Sequence, residues 1–569
     1  MKILVTGANG YIGSKLVIKL LNMGNEVIAT DFSNEHIDER AKFIKCDIFG
    51  EENYYELFGR PDVCIHLAWR DGFVHSSINH IIDLPKHFMF IKKLIDSGLK
   101  QIAIMGSMHE IGYHVGAIDE NTPCNPKTFY GIAKNSLREM VESYVVGKKC
   151  VFQWLRGYYM YGKDLFGNSV FVKIKKADLE GQLLFPFTTG KNKFDFISLE
   201  ELCDQISYTI TQKEIVGIIN ICSGKPVSLG EQIEKYIKSN NLKIKLDYGK
   251  FKERETESPC IYGDNTKIQA IINNKKKKIL VTGVKGQLGY DCIRELNKRG
   301  YNNILGIDKE ELDITDRIAV IDYIKKYKPD IIMHNAAWTA VDKAEQMPEK
   351  VFEVNALGPK YIAEACKEIG AKMVYISTDY VFDGKGNTPF EITDPKDGLS
   401  VYGKTKSQGE DFVKKTIDKY FIVRISWVFG KNGNNFVKTM LKLADIGKKE
   451  LNIVSDQIGS VTYTVDLAKL LVDMIETDKY GIFHATNEGY ISWAEFAEEI
   501  FKQANKNVKV NYVTTEEYKK LVPSQADRPL NSRMSKKSLD EAGFNRLPNW
   551  KDALERYFDE LRNVKNGGY

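Results

Sequence analysis

Two tyrosines stand four residues ahead of a lysine, in Tyr130-Gly-Ile-Ala-Lys134 and in Tyr402-Gly-Lys-Thr-Lys406. On a helix, residues four apart face the same way. A phenol with an ordinary pKa of about 10 is a poor acid or base at neutral pH, and an ammonium one turn away is expected to stabilise the phenolate and draw that value toward the working range. Such a tyrosine gives a proton to a carbonyl oxygen or takes one from an alcohol. Thr378, which ends the apolar run Val374-Tyr-Ile-Ser-Thr378, offers a second hydrogen bond to the same oxygen. The spacing also occurs on plain solvated helices, so its weight comes from what precedes it in the chain.

What precedes it is a repeated opening. Lys2-Ile-Leu-Val-Thr-Gly-Ala-Asn-Gly-Tyr-Ile-Gly13 recurs as Lys278-Ile-Leu-Val-Thr-Gly-Val-Lys-Gly-Gln-Leu-Gly289. Each copy reads as a strand, a glycine-rich turn and an amphipathic helix, Lys15 to Met23 and Tyr290 to Arg299. In G-x-x-G-x-x-G the first glycine (Gly7, Gly283) permits the tight turn. The second (Gly10, Gly286) lets backbone approach a pyrophosphate, and the third (Gly13, Gly289) packs helix on strand. Backbone N–H groups at Tyr11-Ile12 and Gln287-Leu288 then open the helix toward the anion. A second strand in each copy ends on an acid, Asp31 and Asp308, placed to bind a ribose 2′-hydroxyl and to repel a 2′-phosphate. Other landmarks repeat in order: His66-Leu-Ala68-Trp69 with His334-Asn-Ala336-Ala337-Trp338, and Arg156 to Gly162 with Arg424 to Gly430. One domain plan is therefore present twice, end to end. Strands alternating with helices predict two tandem α/β domains, 1–274 and 275–569. Each is a doubly wound parallel sheet of Rossmann type with a smaller C-terminal substrate cap.

The remaining composition is that of an ordinary globular chain. Its 569 residues exceed the usual single-domain length, and 81 basic against 76 acidic residues leave a net charge of +5. That balance asks for neither nucleic acid nor a membrane surface, and no apolar run approaches a membrane span. Nine cysteines include no C-x-x-C pair, which predicts reduced thiols in a cytoplasm and no metal site. His66 and His75 read as packing or loop residues.

Both halves resemble extended short-chain dehydrogenase/reductases of the nucleotide-sugar-modifying branch. The second half is similar to dTDP-4-dehydrorhamnose reductases through Ala337-Trp-Thr-Ala-Val-Asp, Ser377-Thr-Asp-Tyr-Val-Phe, Tyr402-Gly-Lys-Thr-Lys406, Ser455-Asp-Gln and Arg528-Pro-Leu-Asn-Ser-Arg. The resemblance implies reduction of the C4 ketone of a nucleotide-linked 4-keto-6-deoxy-L-hexose with NADH or NADPH. Thr378, Tyr402 and Lys406 would be its catalytic set. It further implies Trp427 packing on the sugar, and Asn435 and Arg528 near the nucleotide phosphates. Asp47-Ile48 and Asp313-Ile314, expected after a third strand, would meet the adenine edge, and Ala68, Ala336 and Ala337 would line the cofactor.

The first half resembles the NAD-dependent epimerase/dehydratase group, which implies NAD(H) and a reductase or epimerase with Tyr130 and Lys134 as its pair. In Met105-Gly-Ser-Met-His-Glu110, aligning on Glu110 puts Met108 where the group carries its catalytic hydroxyl, so Ser107 has to shift by one to supply it. His109 and Glu110 offer the sugar a different acid or base. Two readings of the whole chain remain: a bifunctional nucleotide-sugar oxidoreductase, or a non-catalytic dinucleotide-binding scaffold. Either is compatible with a homo-oligomer or with internal pairing of the halves.

Overall fold

The structure, a computed structural model, describes residues 1–50, 53–162, 169–252 and 257–565. The chain forms two compact units, Met1–Lys275 with Lys298–Gly300, and Lys276–Asn297 with Tyr301–Tyr569.

The first unit is built on a seven-stranded sheet in the order Gly217–Ile221, Val151–Gly157, Gln101–Ser107, Val63–His66, Lys2–Thr6, Glu26–Thr30, Lys42–Phe43. Every neighbouring pair is parallel. Apolar side chains leave both faces, because alternate strand residues point to opposite sides. Ile3 and Val5 bury against Leu16, Val17 and Leu20 of the helix Tyr11–Asn22. Leu4 buries against the other layer, where Phe90, Ile91, Leu137 and Val141 lie. The strand Lys2–Thr6 has its successor on one side and Val63–His66 on the other. The strand order thus reverses there, and it is outside the carboxyl ends of the strands at such a point that a doubly wound sheet takes its ligand. A cap follows, with a sheet ordered Pro226–Ser228, Lys193–Ser198, Cys260–Gly263, Gly116–Ile118 and an aromatic core of Phe171, Phe187, Phe194, Phe196 and Tyr236.

The second unit repeats the plan with six parallel strands ordered Asn303–Ile307, Lys278–Thr282, Ile331–His334, Lys372–Thr378, Tyr420–Ile425, Gly481–His484. Ile279 and Val281 face Leu288, Cys292 and Leu296, while Leu280 faces Val320, Ile324, Ile362 and Val413. Its cap is held by Trp427, Phe436, Trp493, Phe496 and Trp550.

Two local expectations need correction. Among the described residues the second sheet has no counterpart of Lys42–Phe43, so Asp313 follows no third strand. It sits in a turn, where its carboxylate accepts from the Thr315 N–H at 3.0 Å and hydroxyl at 2.7 Å. The strand beginning at Gln101 also outruns its apolar stretch. Gly106 and Ser107 continue the ladder opposite Arg156 and Gly157, so the strand ends on Ser107 as its counterpart Lys372–Thr378 ends on Thr378. Ser107 therefore stands at the strand end where the second unit has Thr378. Met108 lies beyond it, buried in the cap core.

Candidate functional site

The two glycine loops are built alike. Gly7 and Gly283 have φ of +68° and +69°, a left-handed backbone that an L side chain resists. A Cβ on Gly13 would stand 2.1 Å from the Gly7 carbonyl oxygen, and one on Gly289 would stand 2.2 Å from that of Gly283, so helix and turn touch backbone to backbone. At Gly10 and Gly286 the only close neighbour is the preceding glycine's oxygen, at 3.2 and 3.1 Å; beyond it the space is open for a phosphate to approach. Asp31 accepts from the Asn9 N–H at 2.9 Å, and Asp308 from the Lys285 N–H at 3.0 Å, which ties each carboxylate to its loop. Thr6 meets His66 Nδ1 at 2.8 Å and Thr282 meets His334 Nδ1 at 2.8 Å, and these hydroxyls also accept from the N–H groups of Ala68 and Ala336. Loop, carboxylate and opening suit a dinucleotide.

In the second unit a cleft of about 850 Å³ brings this cradle to Thr378, Tyr402 and Lys406. Its walls include Gly283, Gly286, Gln287, Leu288, Gly289, Asp308, Asp313, Ile314, Ala336, Ala337, Thr378, Tyr402, Lys406 and Trp427. Tyr402 is the second residue of the helix Val401–Thr416, whose start is capped by Ser400 accepting from the Gly403 N–H at 3.2 Å. Gly403 must be glycine, because its Cβ would lie 2.1 Å from the Tyr380 carbonyl oxygen. That close approach sets the Tyr402 ring edge-on to Tyr380, 5.5 Å away, and beside Thr378. The first unit repeats each detail: Thr128 caps Phe129–Val145, Gly131 abuts the His109 carbonyl (2.4 Å to a Cβ), and Tyr130 lies beside Ser107.

Charge in these sites differs from the sequence expectation. Desolvation pushes both phenols up, Tyr402 and Tyr130 each to about 12, against the opposing hydrogen bonds from Thr378 and Ser107. It pushes Lys406 and Lys134 down to about 7, against the attraction of Glu410 and Glu110 respectively. The lysines therefore do not draw the phenols toward neutrality. Both partners have lost water in the same enclosure, and that penalises the ammonium as much as the phenolate. Asp379, donated to by Thr378 at 2.9 Å, is carried up to about 6 by burial.

Behind each pair lies a buried arginine held by a carboxylate, a pairing that sequence reasoning missed. Arg424 is held by Glu410 through Nε at 2.9 Å and a terminal nitrogen at 2.8 Å, and Ser377 donates to the same carboxylate at 2.6 Å. Arg156 faces Glu110 at 3.5 Å, and Glu110 also accepts from the Ser107 N–H at 2.6 Å and Trp154 Nε1 at 2.9 Å. Glu410 comes from the helix that carries Tyr402. Glu110 comes from the turn after Ser107, so it is tied to Arg156 and Trp154 within the fold.

The remaining sequence candidates divide. Trp427 lines the cleft, at φ +48°, with its ring stacked on Trp493 at 3.8 Å. Asn435 is not in the wall. It caps the helix Phe436–Asp445 and donates to Gln287 and Gly430 at 3.0 and 2.9 Å, leaving Asn434 in the cleft. Arg528 lies outside the wall too, paired with Asp342 at 3.0 Å. Asp47 accepts from the Phe49 N–H at 3.0 Å and Ile48 packs into the core. His66 is buried between Thr6 and His87, whereas His75 stacks flat on Tyr130, ring centroids 4.9 Å apart. Among the described residues no group of histidines, cysteines and carboxylates could hold a metal ion, and no helix is long and apolar enough to cross a membrane.

Comparison with known proteins gives these geometries relatives. Residues 277–563 match the family described as RmlD substrate binding domain, and residues 3–222 the NAD dependent epimerase/dehydratase family. A dTDP-6-deoxy-L-talose 4-dehydrogenase (NAD(+)) of Aggregatibacter actinomycetemcomitans is 43% identical over 269 residues, 46% of this chain and 99% of the relative. A dTDP-4-dehydrorhamnose reductase of the same organism is 40% identical over 290 residues, 49% of this chain and 97% of the relative. Among solved structures, the dTDP-4-dehydrorhamnose reductase of Bacillus anthracis str. Ames in complex with NADP is 43% identical, with a TM-score of 0.48. That match covers 50% of this chain and 99% of the other.

Proposed function

The chain belongs to the RmlD substrate binding domain family through its second half, joined to an N-terminal segment of the NAD dependent epimerase/dehydratase family, and on that premise we propose that it is a bifunctional nucleotide-sugar oxidoreductase with one active site in 1–274 and one in 275–569. The second half reduces the C4 ketone of dTDP-4-dehydro-L-rhamnose, or a close 4-keto-6-deoxyhexose nucleotide, to the L-rhamno product. The first half reduces the same ketone to the opposite C4 epimer, the 6-deoxy-L-talo product. What supports a talo product somewhere in this chain is a relative over 46% of it named dTDP-6-deoxy-L-talose 4-dehydrogenase (NAD(+)); its placement in the first half is part of the proposal.

The observation that carries the reading is the duplicated constellation. Ser107, Tyr130 and Lys134 occupy the same strand end and helix turn as Thr378, Tyr402 and Lys406. A bound nicotinamide supplies the hydride. Tyr402 gives its phenolic proton to the C4 oxygen, a transfer suited to a phenol that desolvation keeps protonated at neutral pH. Thr378 would hold the same oxygen, and Lys406, one helical turn further on in the same cleft, would hold the ribose of a bound cofactor. Trp427 and Trp493 form an apolar wall for the sugar ring. Asp31 favours NAD(H) in the first half. In the second half Asp308 is followed by Lys309, which lines the cleft, and NADH or NADPH is accommodated. Nine free thiols among the described residues suit a reducing cytoplasm.

The test is oxidation of reduced cofactor in the presence of the 4-keto sugar nucleotide, followed by absorbance for wild type, Tyr130→Phe, Tyr402→Phe and the double variant. Each single substitution is expected to remove part of the turnover and the double to remove at least 99% of it. Turnover that survives the double substitution, or that is absent from wild type, contradicts the assignment.

A further inference from the structure

The proposed pair of reactions sets a geometric problem, and the inference below rests on that reading of both halves. Hydroxyl, phenol and lysine are positioned by the same elements in the two units, and so is the glycine loop that places the hydride donor. With donor and acid fixed, opposite configurations at C4 arise only if the sugar ring presents opposite faces to the donor. The difference must therefore lie in side chains beside the phenol that hold the ring.

The middle residue of the short turn after the hydroxyl is such a position. In the second unit it is Tyr380, whose N–H donates to Thr378 at 3.2 Å and whose ring stands edge-on to Tyr402, 5.5 Å away at 75°. In the first unit it is His109, whose N–H donates to Ser107 at 3.3 Å and whose ring stands edge-on to Tyr130, 6.1 Å away at 69°. The backbone role is the same and the side chain differs in length and polarity. Tyr380 extends a full phenol along the cleft wall. His109 is shorter, and the flat face of Tyr130 is covered by His75, stacked at 4.9 Å and 10° and itself 4.4 Å from the His109 ring. The aromatic residue after the arginine strand changes in step. Trp427, with its left-handed backbone, lays its indole on Trp493, whereas Tyr159 continues a strand beside Phe196 with its ring 6.4 Å from His109. Burial lowers both imidazoles, His109 to about 4, so at neutral pH they are uncharged hydrogen-bonding groups that sugar hydroxyls can meet.

We propose that this turn position, His109 backed by His75 in the first half and Tyr380 in the second, selects which face of the C4 ketone meets the hydride donor. It is a specificity-determining site for the stereochemical outcome, distinct from the groups that move the proton.

The experiment exchanges the position in proteins with one working half. In a Tyr402→Phe parent, only the first half turns over, and the products of the 4-keto sugar nucleotide with NADH are resolved by NMR. Adding His75→Ala with His109→Tyr is expected to lower the talo-to-rhamno ratio at least about tenfold, the size of effect that one reshaped pocket contact gives. The reciprocal protein, Tyr380→His in a Tyr130→Phe parent, is expected to move the ratio the other way, and it decides the matter if the first exchange abolishes turnover. An active exchanged protein whose ratio stays at the parent's value overturns this inference alone. A Tyr402→Phe parent that leaves the ketone untouched overturns the reading of the first half, and this inference with it.

Discussion

Lys406 carries a structural cost that can be measured apart from catalysis. Burial lowers its pKa from 10.5 to about 7, so the unfolded chain holds a proton there that the folded chain gives up between those two values. Unfolding free energy therefore rises with pH across that window. Below about pH 7 the folded protein must keep a buried ammonium and bears the whole cost, which a fall of that size puts at about 5 kcal/mol. Relaxation and entering water reduce such penalties, and about 1–3 kcal/mol is expected to be recovered when the charge is removed. Lys406→Met keeps the length and apolar contact of the stem and removes the charge. The cofactor-free variant should be more stable than wild type by about that amount at pH 6, and the gap should close as the pH approaches 10. Hydrogen exchange of peptides from the strand Lys372–Thr378, followed across a urea series at pH 6, 8 and 9.5, reads the stability of this half separately from the other. A variant less stable than wild type at pH 6, or a gap that does not change with pH, refutes the reasoning.

Three further outcomes follow from the same geometry. Glu410→Ala strands the Arg424 guanidinium in the interior, where it now makes two contacts of 2.9 and 2.8 Å with that carboxylate, and should destabilise the second half by about 3–5 kcal/mol in the same exchange experiment. Gly289→Ala sets a methyl group 2.2 Å from a backbone oxygen that no side-chain rotation can move aside. Titration of NADH by fluorescence should then show the second half's site lost and the first half's kept. Asp31→Ala removes the carboxylate that repels a 2′-phosphate. In a Tyr402→Phe background it should shift the ratio of kcat/KM for NADPH over NADH upward by about tenfold or more.

What the sequence disclosed is what is local in it. The glycine spacing, the acid after the second strand and the tyrosine–lysine turn each lie within a few residues, and each reports a single backbone shape whose chemistry follows from residue type. The ladder's continuation through Gly106 and Ser107 was hidden, because the apolar run stops at Met105 while pairing goes on against Arg156 and Gly157. Without that continuation, aligning the segment on Glu110 puts the hydroxyl position on Met108. That the carboxylates of Glu110 and Glu410 pair with the two arginines was hidden for another reason. One arises from a turn and the other from a helix, so no repeated spacing marks them. His75 reaches Tyr130 across more than fifty residues of chain, and only the folded loop shows that its ring covers the phenol. Asn435 shows the converse: its place in the motif is real, but its amide is spent on a helix cap and on Gln287.

The central claim, two working sites acting on one ketone, is tested most directly by the NMR spectrum of the product that the wild-type protein makes from dTDP-4-dehydro-L-rhamnose with excess NADH. The account predicts both C4 epimers in the same vessel, with the L-rhamno signals lost in Tyr402→Phe and the L-talo signals lost in Tyr130→Phe. A single epimer from wild type, unchanged in either variant, would contradict it.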